Sequence, residues 1–177
     1  MRQLRGKPLS DFLKRSKRPG VDLAFLLQDV EDPVNVGSAF RIADACGIRD
    51  ICLTGISARP PHPLIKKVGR GRDRRVGWTY VADSGEALDG FREAGYTLCA
   101  LEITADSIPY YAAVYPEKIC LIVGHEDHGV TNRTLSGCDM AVFIPMYGKG
   151  ASMNVHVSLG IAACHILHTT AAVPAHE

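Results

Sequence analysis

"ICLIVGHEDHG", Ile119–Gly129, runs five apolar residues straight into two histidines and two carboxylates enclosed by glycines. An apolar run without alternation is what a strand covered on both faces requires, and such strands belong to parallel sheets packed between helices. The glycines place a turn at its carboxyl end. The pattern recurs twice: "LAFLLQ" from Leu23 leads into "DVEDPVNVGSAFR", and "MAVFI" from Met140 leads into "PMYGKGASMNV". Ligands of open α/β sheets bind at the carboxyl ends of strands, so these three polar turns are candidates for one shared pocket.

Further strands are read at "DICLT" from Asp50, "TYVA" from Thr79 and "TLCAL" from Thr97. Helical spacing predicts helices over about 37–46, 84–94 and 154–168. In the first, Phe40, Ala43 and Ala45 face inward; in the last, Val155, Leu159, Ala162 and Ile166 do. Ser84 opens the middle helix, and Ser152 or Asn154 caps the last. The segment 57–77, rich in Pro, Gly and Arg, reads as a loop or an irregular helix. Strands alternating with helices predict an α/β class, a single parallel sheet flanked by helices.

At 177 residues one core suffices. No apolar run approaches the ~18 residues that span a bilayer, and the basic amino terminus lacks a signal-peptide pattern, so a soluble cytoplasmic protein with no membrane contact is expected. Six cysteines form no C-x-x-C pair and read as reduced, structural thiols. The net charge of +1 hides an uneven distribution. Residues 1–20 and 59–75 each carry seven Lys or Arg against one Asp, which leaves the rest of the chain strongly acidic. Two basic patches on an acidic body suggest a polyanionic partner.

The histidines of "GHEDHG" invite a metal, but they are three apart rather than four, and the flanking glycines argue for a turn. No metal is expected. "GRGRDR" from Gly69 lacks the third glycine and the preceding strand of a dinucleotide fingerprint, and no P-loop is present. What the glycines offer is close approach: Gly124 admits another backbone or a ligand, and Gly129 tolerates a left-handed return. In "NVGSAFR", Asn35 is read in the turn, Gly37 and Ser38 as opening a helix whose free N–H groups suit a phosphate, and Arg41 about one turn in, with a fork matched to phosphate or carboxylate.

Together, "DPVNVGSAFRIADACGI", "LIVGHEDHGV" and "FIPMYGKGASMNVHVSLGIAA", with "KKVGRG" between the first two, resemble the three ordered motifs of the SpoU/TrmH-type RNA ribose 2'-O-methyltransferases of the SPOUT superfamily. The likeness covers 23–167. It implies a deep trefoil knot at the carboxyl end, S-adenosylmethionine (AdoMet) bound in the knot with S-adenosylhomocysteine as product, and a homodimer. By position it makes Arg41 the essential catalytic residue, with Asn35, Glu126, Ser152 and Asn154 completing the site. Leu101, Gly124, Ile144, Met146 and Met153 would contact the cofactor, largely through backbone. His125 stands where Asn is usual, and Met153 where Leu is common.

The basic segments then acquire RNA as their partner: Lys66, Lys67, Arg70, Arg72, Arg74 and Arg75 in the loop, and Arg15 and Arg18 in the amino-terminal tail. Residues 1–20 are expected as a basic extension, 21–170 as the methyltransferase domain and 171–177 as a tail. Without the added amino-terminal RNA-binding domain that ribosomal-RNA members often carry, tRNA is favoured over rRNA. The competing reading is a non-catalytic RNA-binding or AdoMet-sensing module, which would lack part of the Arg41, Asn35, Glu126, Ser152 and Asn154 set.

Overall fold

The structure, a computed structural model, describes residues 3–15 and 20–171. In chain order the elements are α1 (Gly6–Leu13), β1 (Asp22–Gln28), α2 (Pro33–Cys46), β2 (Asp50–Thr54), α3 (Pro63–Gly69), a 3-10 turn (Arg72–Arg74), β3 (Gly77–Val81), α4 (Ser84–Glu93), β4 (Thr97–Leu101), β5 (Ile108–Pro109), β6 (Lys118–Val123), α5 (Asn132–Ser136), β7 (Met140–Phe143) and α6 (Val155–Ala171). The strands pair in the order β3-β2-β1-β6-β4-β7-β5, every pair parallel. The expected α/β class with one parallel sheet between helices is therefore found.

The apolar runs are continuous because both faces of the sheet are covered. Phe25, Leu27, Leu53, Leu121 and Val123 point to one core, shared with α2, α3 and α6. Leu26, Cys52, Leu98, Cys120 and Ile122 point to the other, shared with α4. Successive residues thus alternate between two apolar layers. Leu159, Ala162 and Ile166 of α6 are buried as the spacing predicts. Cys52, Cys99 and Cys120 are buried free thiols within the sheet, pushed up by desolvation.

Three local readings need correction. α2 begins at Pro33, one turn before the expected start, because Asp32 caps it by accepting from Val34 N and the proline suits the first helical position. This rotates nothing but shifts the roles: Asn35 lies in the first turn, and Gly37 and Ser38 lie inside the helix. Ala45 is exposed; at about 100° per residue it stands opposite buried Ala43. In α4 the cap is Asp83, which accepts from Glu86 N, and Ser84 is the first helical residue.

The Pro- and Arg-rich segment contains α3 and the 3-10 turn. Ile65 is its apolar anchor, and Gly37 its point of closest approach to α2. A Cβ on Gly37 would meet Ile65 O and Val68 Cβ at 3.0 Å. The glycine lets the two helices touch along their backbones. The short elements α1, α5 and β5 were not anticipated; α5 and β5 are too brief to show a period of their own.

Candidate active site

β1, β6, β4 and β7 are neighbours, and the segments leaving their carboxyl ends meet. The segment after β6 folds back on itself: Gly129 N donates to His125 O at 2.8 Å and His125 N to Gly129 O at 3.1 Å. A Cβ on Gly124 would fall inside the backbone of Gly129 and Val130, and Gly129 takes φ +66°. The two enclosing glycines are thus the residues that make the turn, as their spacing implied.

Its carboxylate, Glu126, reaches across to the start of α2. Glu31 N and Asp32 N donate to it at 3.2 and 3.1 Å, and Asn35 Nδ2 at 2.8 Å. Burial acts to raise this carboxyl, but the Asn35 amide and the backbone donors outweigh it and leave Glu126 below the usual glutamate value. Orphan N–H groups at a helix start attract an anion. Here the anion is internal, so the expectation that this helix start holds a ligand phosphate through Gly37 and Ser38 is corrected. Asn35 Oδ1 lies 2.8 Å from His156 Nδ1 on α6. Asn154 caps α6, its Oδ1 accepting from His156 N at 3.0 Å, whereas Ser152 stands free of that duty and lines the cleft.

Two further polar side chains pin the same turn. Glu102, just after β4, accepts from Val130 N at 2.9 Å. Gln28, which ends β1 and is buried, donates to Thr131 Oγ1 at 2.8 Å and accepts from Thr131 N at 3.2 Å. Neither Glu102, Gln28 nor His156 was singled out from sequence. A signal existed for the first two: each is a polar residue closing an apolar strand.

These segments enclose a cavity of about 370 Å³. All five expected cofactor residues line it: Leu101, Gly124, Ile144, Met146 and Met153. Glu126 and Ser152 line it too, with Glu102, Phe143, Val155 and Ser158. Asn35, Asn154 and Arg41 do not. Asn35 joins through Glu126, and Asn154 through the start of α6. The rings of His125 and His128 stack with centroids 4.7 Å apart; His125 Nδ1 accepts from Asp127 N, and its Nε2 lies 3.8 Å from Glu31. Among the described residues no group of three or more His, Cys, Asp or Glu is placed to hold a metal ion.

Arg41 is exposed and makes no hydrogen bond or ion pair among the described residues. It lies six residues beyond Asn35, about 9 Å along the axis, and about 40° round the helix from Gly37, the residue that meets α3. Lys66, Lys67, Arg70, Arg74 and Arg75 are exposed on α3 and the turn after it. Arg72 differs: its Nε lies 3.2 Å from Asp44 Oδ2 of α2. Arg15 is exposed just after α1, and Arg18 lies outside the described residues. No helix among those described is long and apolar enough to cross a membrane.

The comparisons with known proteins bear on this arrangement. The chain is 29% identical over 153 residues to the 23S rRNA (guanosine-2'-O-)-methyltransferase RlmB of Neisseria meningitidis, an alignment covering 86% of this chain and 60% of that protein. Relatives from other bacteria carry the same name at 28–30% identity. The chain spans about three fifths of the length of these curated relatives. Among solved structures it is similar to a TrmH-family protein from Porphyromonas gingivalis (28% identity, TM-score 0.75, covering 89% of this chain and 64% of that one). It also shares the fold of the SpoU methyltransferase AviRb from Streptomyces viridochromogenes (24% identity, TM-score 0.78, covering 90% and 63%).

One expectation is corrected by these names. The curated relatives are ribosomal-RNA enzymes, which overturns the leaning toward tRNA; the expected homodimer finds no support in what these relatives are named. The fold agrees with the α/β knot class that the motifs implied. The model of the SpoU rRNA Methylase family matches residues 22–164, the stretch that runs from β1 into α6 and contains every segment of the cleft. The chain, in motifs, in fold and across that span, belongs to the SpoU rRNA methylase family.

Proposed function

We propose that this chain is an AdoMet-dependent RNA ribose-2'-O-methyltransferase acting in the cytoplasm on ribosomal RNA. The observation that carries the reading is the convergence of three segments distant in sequence on one cleft, with Glu126 held ionised at its rim by the start of α2. A cavity of 370 Å³ is the size of a nucleoside-bearing ligand. Leu101, Ile144, Met146 and Met153 offer it an apolar wall, and Gly124 a bare backbone. That combination fits an adenine ring and a thioether-bearing chain.

AdoMet, when bound, supplies a methyl group already activated on a sulfonium. In the transfer a bond forms from the ribose 2'-oxygen to the methyl carbon as the carbon–sulfur bond breaks, and the hydroxyl proton passes to a neighbouring acceptor. The protein's task is alignment and charge. Glu126, Ser152 and the start of α6, capped by Asn154, shape the cleft; Asn35 holds Glu126. Arg41, exposed outside the cleft, is assigned the RNA phosphate beside the target ribose, from where its charge would stabilise the alkoxide as it develops. A guanidinium does not give up its proton in a protein, so the residue works as a fork and a charge rather than a base. The cations of α3 and its following turn, with Arg15 and Arg18 of the extension 1–20, position the RNA backbone, while 21–170 forms the catalytic domain.

The test is methyl transfer from labelled AdoMet to ribosomal RNA fragments, with the product nucleoside identified by mass spectrometry. Arg41→Ala is expected to abolish turnover while calorimetry still records AdoMet binding. Arg41→Lys, which keeps the charge and loses the fork, is expected to lose at least about tenfold; near-full activity would contradict the role. A protein that binds neither AdoMet nor S-adenosylhomocysteine overturns the whole reading.

A further inference from the structure

Asn35 is 2% exposed and stands between partners on two other segments. Its Nδ2 donates to Glu126 Oε1 at 2.8 Å, and its Oδ1 lies 2.8 Å from His156 Nδ1. A primary amide has nearly the same shape when turned end for end, so shape alone does not select the orientation that serves Glu126. The ionised Glu126 carboxylate can only accept. With the amide reversed, two acceptors would face each other and the Glu126 clamp would lose its side-chain donor. What selects the working orientation is the group on the other side.

Since Asn35 Oδ1 must accept, His156 Nδ1 must carry a hydrogen. The neutral ring is then the Nδ1–H tautomer, with Nε2 bare. The ring is itself held: its backbone N–H is bonded to the Asn154 cap at 3.0 Å, and it sits in the first turn of α6 between the cleft residues Val155 and Ser158. We infer that His156 is a positioning residue for the methyl transfer, its Nδ1–H fixing the Asn35 amide so that Asn35 donates to Glu126 and the starts of α2 and α6 lock to the turn after β6. The inference rests on the function proposed above.

The lock does not depend on the charge of the ring. Burial disfavours the imidazolium, and the nearby Asp32 carboxylate opposes that effect, leaving the ring's value lowered. Either form keeps hydrogen on Nδ1. Of the charged groups facing it, Asp32 belongs to the α2 start, and Glu126 stands beyond Asn35.

Two measurements decide it. Nitrogen-15 spectra of the His156 ring in the free protein near neutral pH read the tautomer without any substrate. Protonated Nδ1 with unprotonated Nε2 is expected, and the reverse pattern overturns the inference. In methyl-transfer kinetics, His156→Ala and His156→Gln are expected to lower kcat roughly tenfold, the effect of losing one hydrogen bond at a charged site. His156→Asn, whose amide nitrogen falls near the place of Nδ1, is expected to restore most of the rate, with all three variants melting within a few degrees of the parent. His156→Asn no better than His156→Ala overturns the positioning role, since a base acting through Nε2 or simple packing would give that result. If the chain transfers no methyl group, the proposed function fails while the tautomer remains readable, so the two failures are distinct.

Discussion

The turn Gly124–Gly129 and the basic stretch Pro63–Arg75 are held in opposite ways. Every polar anchor around the turn has a partner inside the fold: Glu126 takes three donors from α2 and the residues before it, and Glu102 and Gln28 grip Val130 and Thr131. On the basic stretch, Ile65 and the Gly37 contact hold the backbone, and most of the charge is left over. Lys66, Lys67, Arg70, Arg74 and Arg75 have no ion-pair partner among the described residues. A site that must aim a small ligand is built from internal hydrogen bonds, which fix geometry. A surface that must meet a long polyanion is built from charges the fold leaves unpaired, which fix affinity.

The hardest test of that contrast is Gly124→Ala. The added carbon has nowhere to go but the backbone of Gly129 and Val130, so the turn must open. The expected cost is ~3 kcal/mol or more, a fall in melting temperature of roughly 6–12 °C for a chain of this size, together with loss of AdoMet binding by calorimetry. An unchanged melt would mean that the turn is not rigid. Glu126→Gln comes next. It offers one acceptor oxygen where three donors converge, and a cost of about 1–3 kcal/mol is expected. Because the folded carboxyl is held below its unfolded value of about 4.3, its stabilisation is complete above that value and is lost as pH falls through the folded one. The parent should therefore lose melting temperature in acid more steeply than Glu126→Gln; parallel acid profiles would sink the clamp.

The contrast also explains what was legible in the sequence. The turn could be read because strand burial forces an apolar run and close backbone approach forces glycine, and both leave marks in adjacent residues. The five cofactor-side residues followed from the motif resemblance, and all line the cavity. His156 was not legible: its bond to Asn35 spans 121 positions, and nothing near His156 in the chain announces the partner. The start of α2 was misread for a related reason. Gly37 and Ser38 look like a helix opening, but Asp32 and Pro33 supply a stronger one, and Gly37 is spent on the approach of α3. The tRNA leaning failed because it rested on domain arrangement and not on any residue that reads RNA; the chain's unpaired charges meet phosphate, which every RNA carries.

Smaller effects are expected on the basic stretch. Lys66→Ala, Lys67→Ala and Arg70→Ala combined should leave melting temperature and AdoMet binding unchanged. RNA affinity should fall, and the slope of log affinity against log salt should shrink by about two. A preserved slope would show that these cations point away from the RNA.

Arg72 gives the finest discrimination, because it belongs to the same run and yet is already engaged. Its guanidinium is tied to Asp44 at 3.2 Å, and both side chains are about one-third exposed. A pair so exposed contributes at most ~0.5–1 kcal/mol, so Arg72→Ala should lower the melt by no more than about 4 °C. Its effect on RNA should also be the smallest of the group, since a guanidinium already engaged by a carboxylate has less to offer a phosphate than a free cation has. Asp44→Ala is the matching measurement. It releases Arg72 without deleting it, and RNA should then bind more tightly and with a steeper salt dependence than to the parent. If Arg72→Ala instead weakens RNA binding as much as Arg70→Ala does, the ion pair yields to phosphate on contact, and the division between charges that build the fold and charges that meet the ligand does not hold at this position.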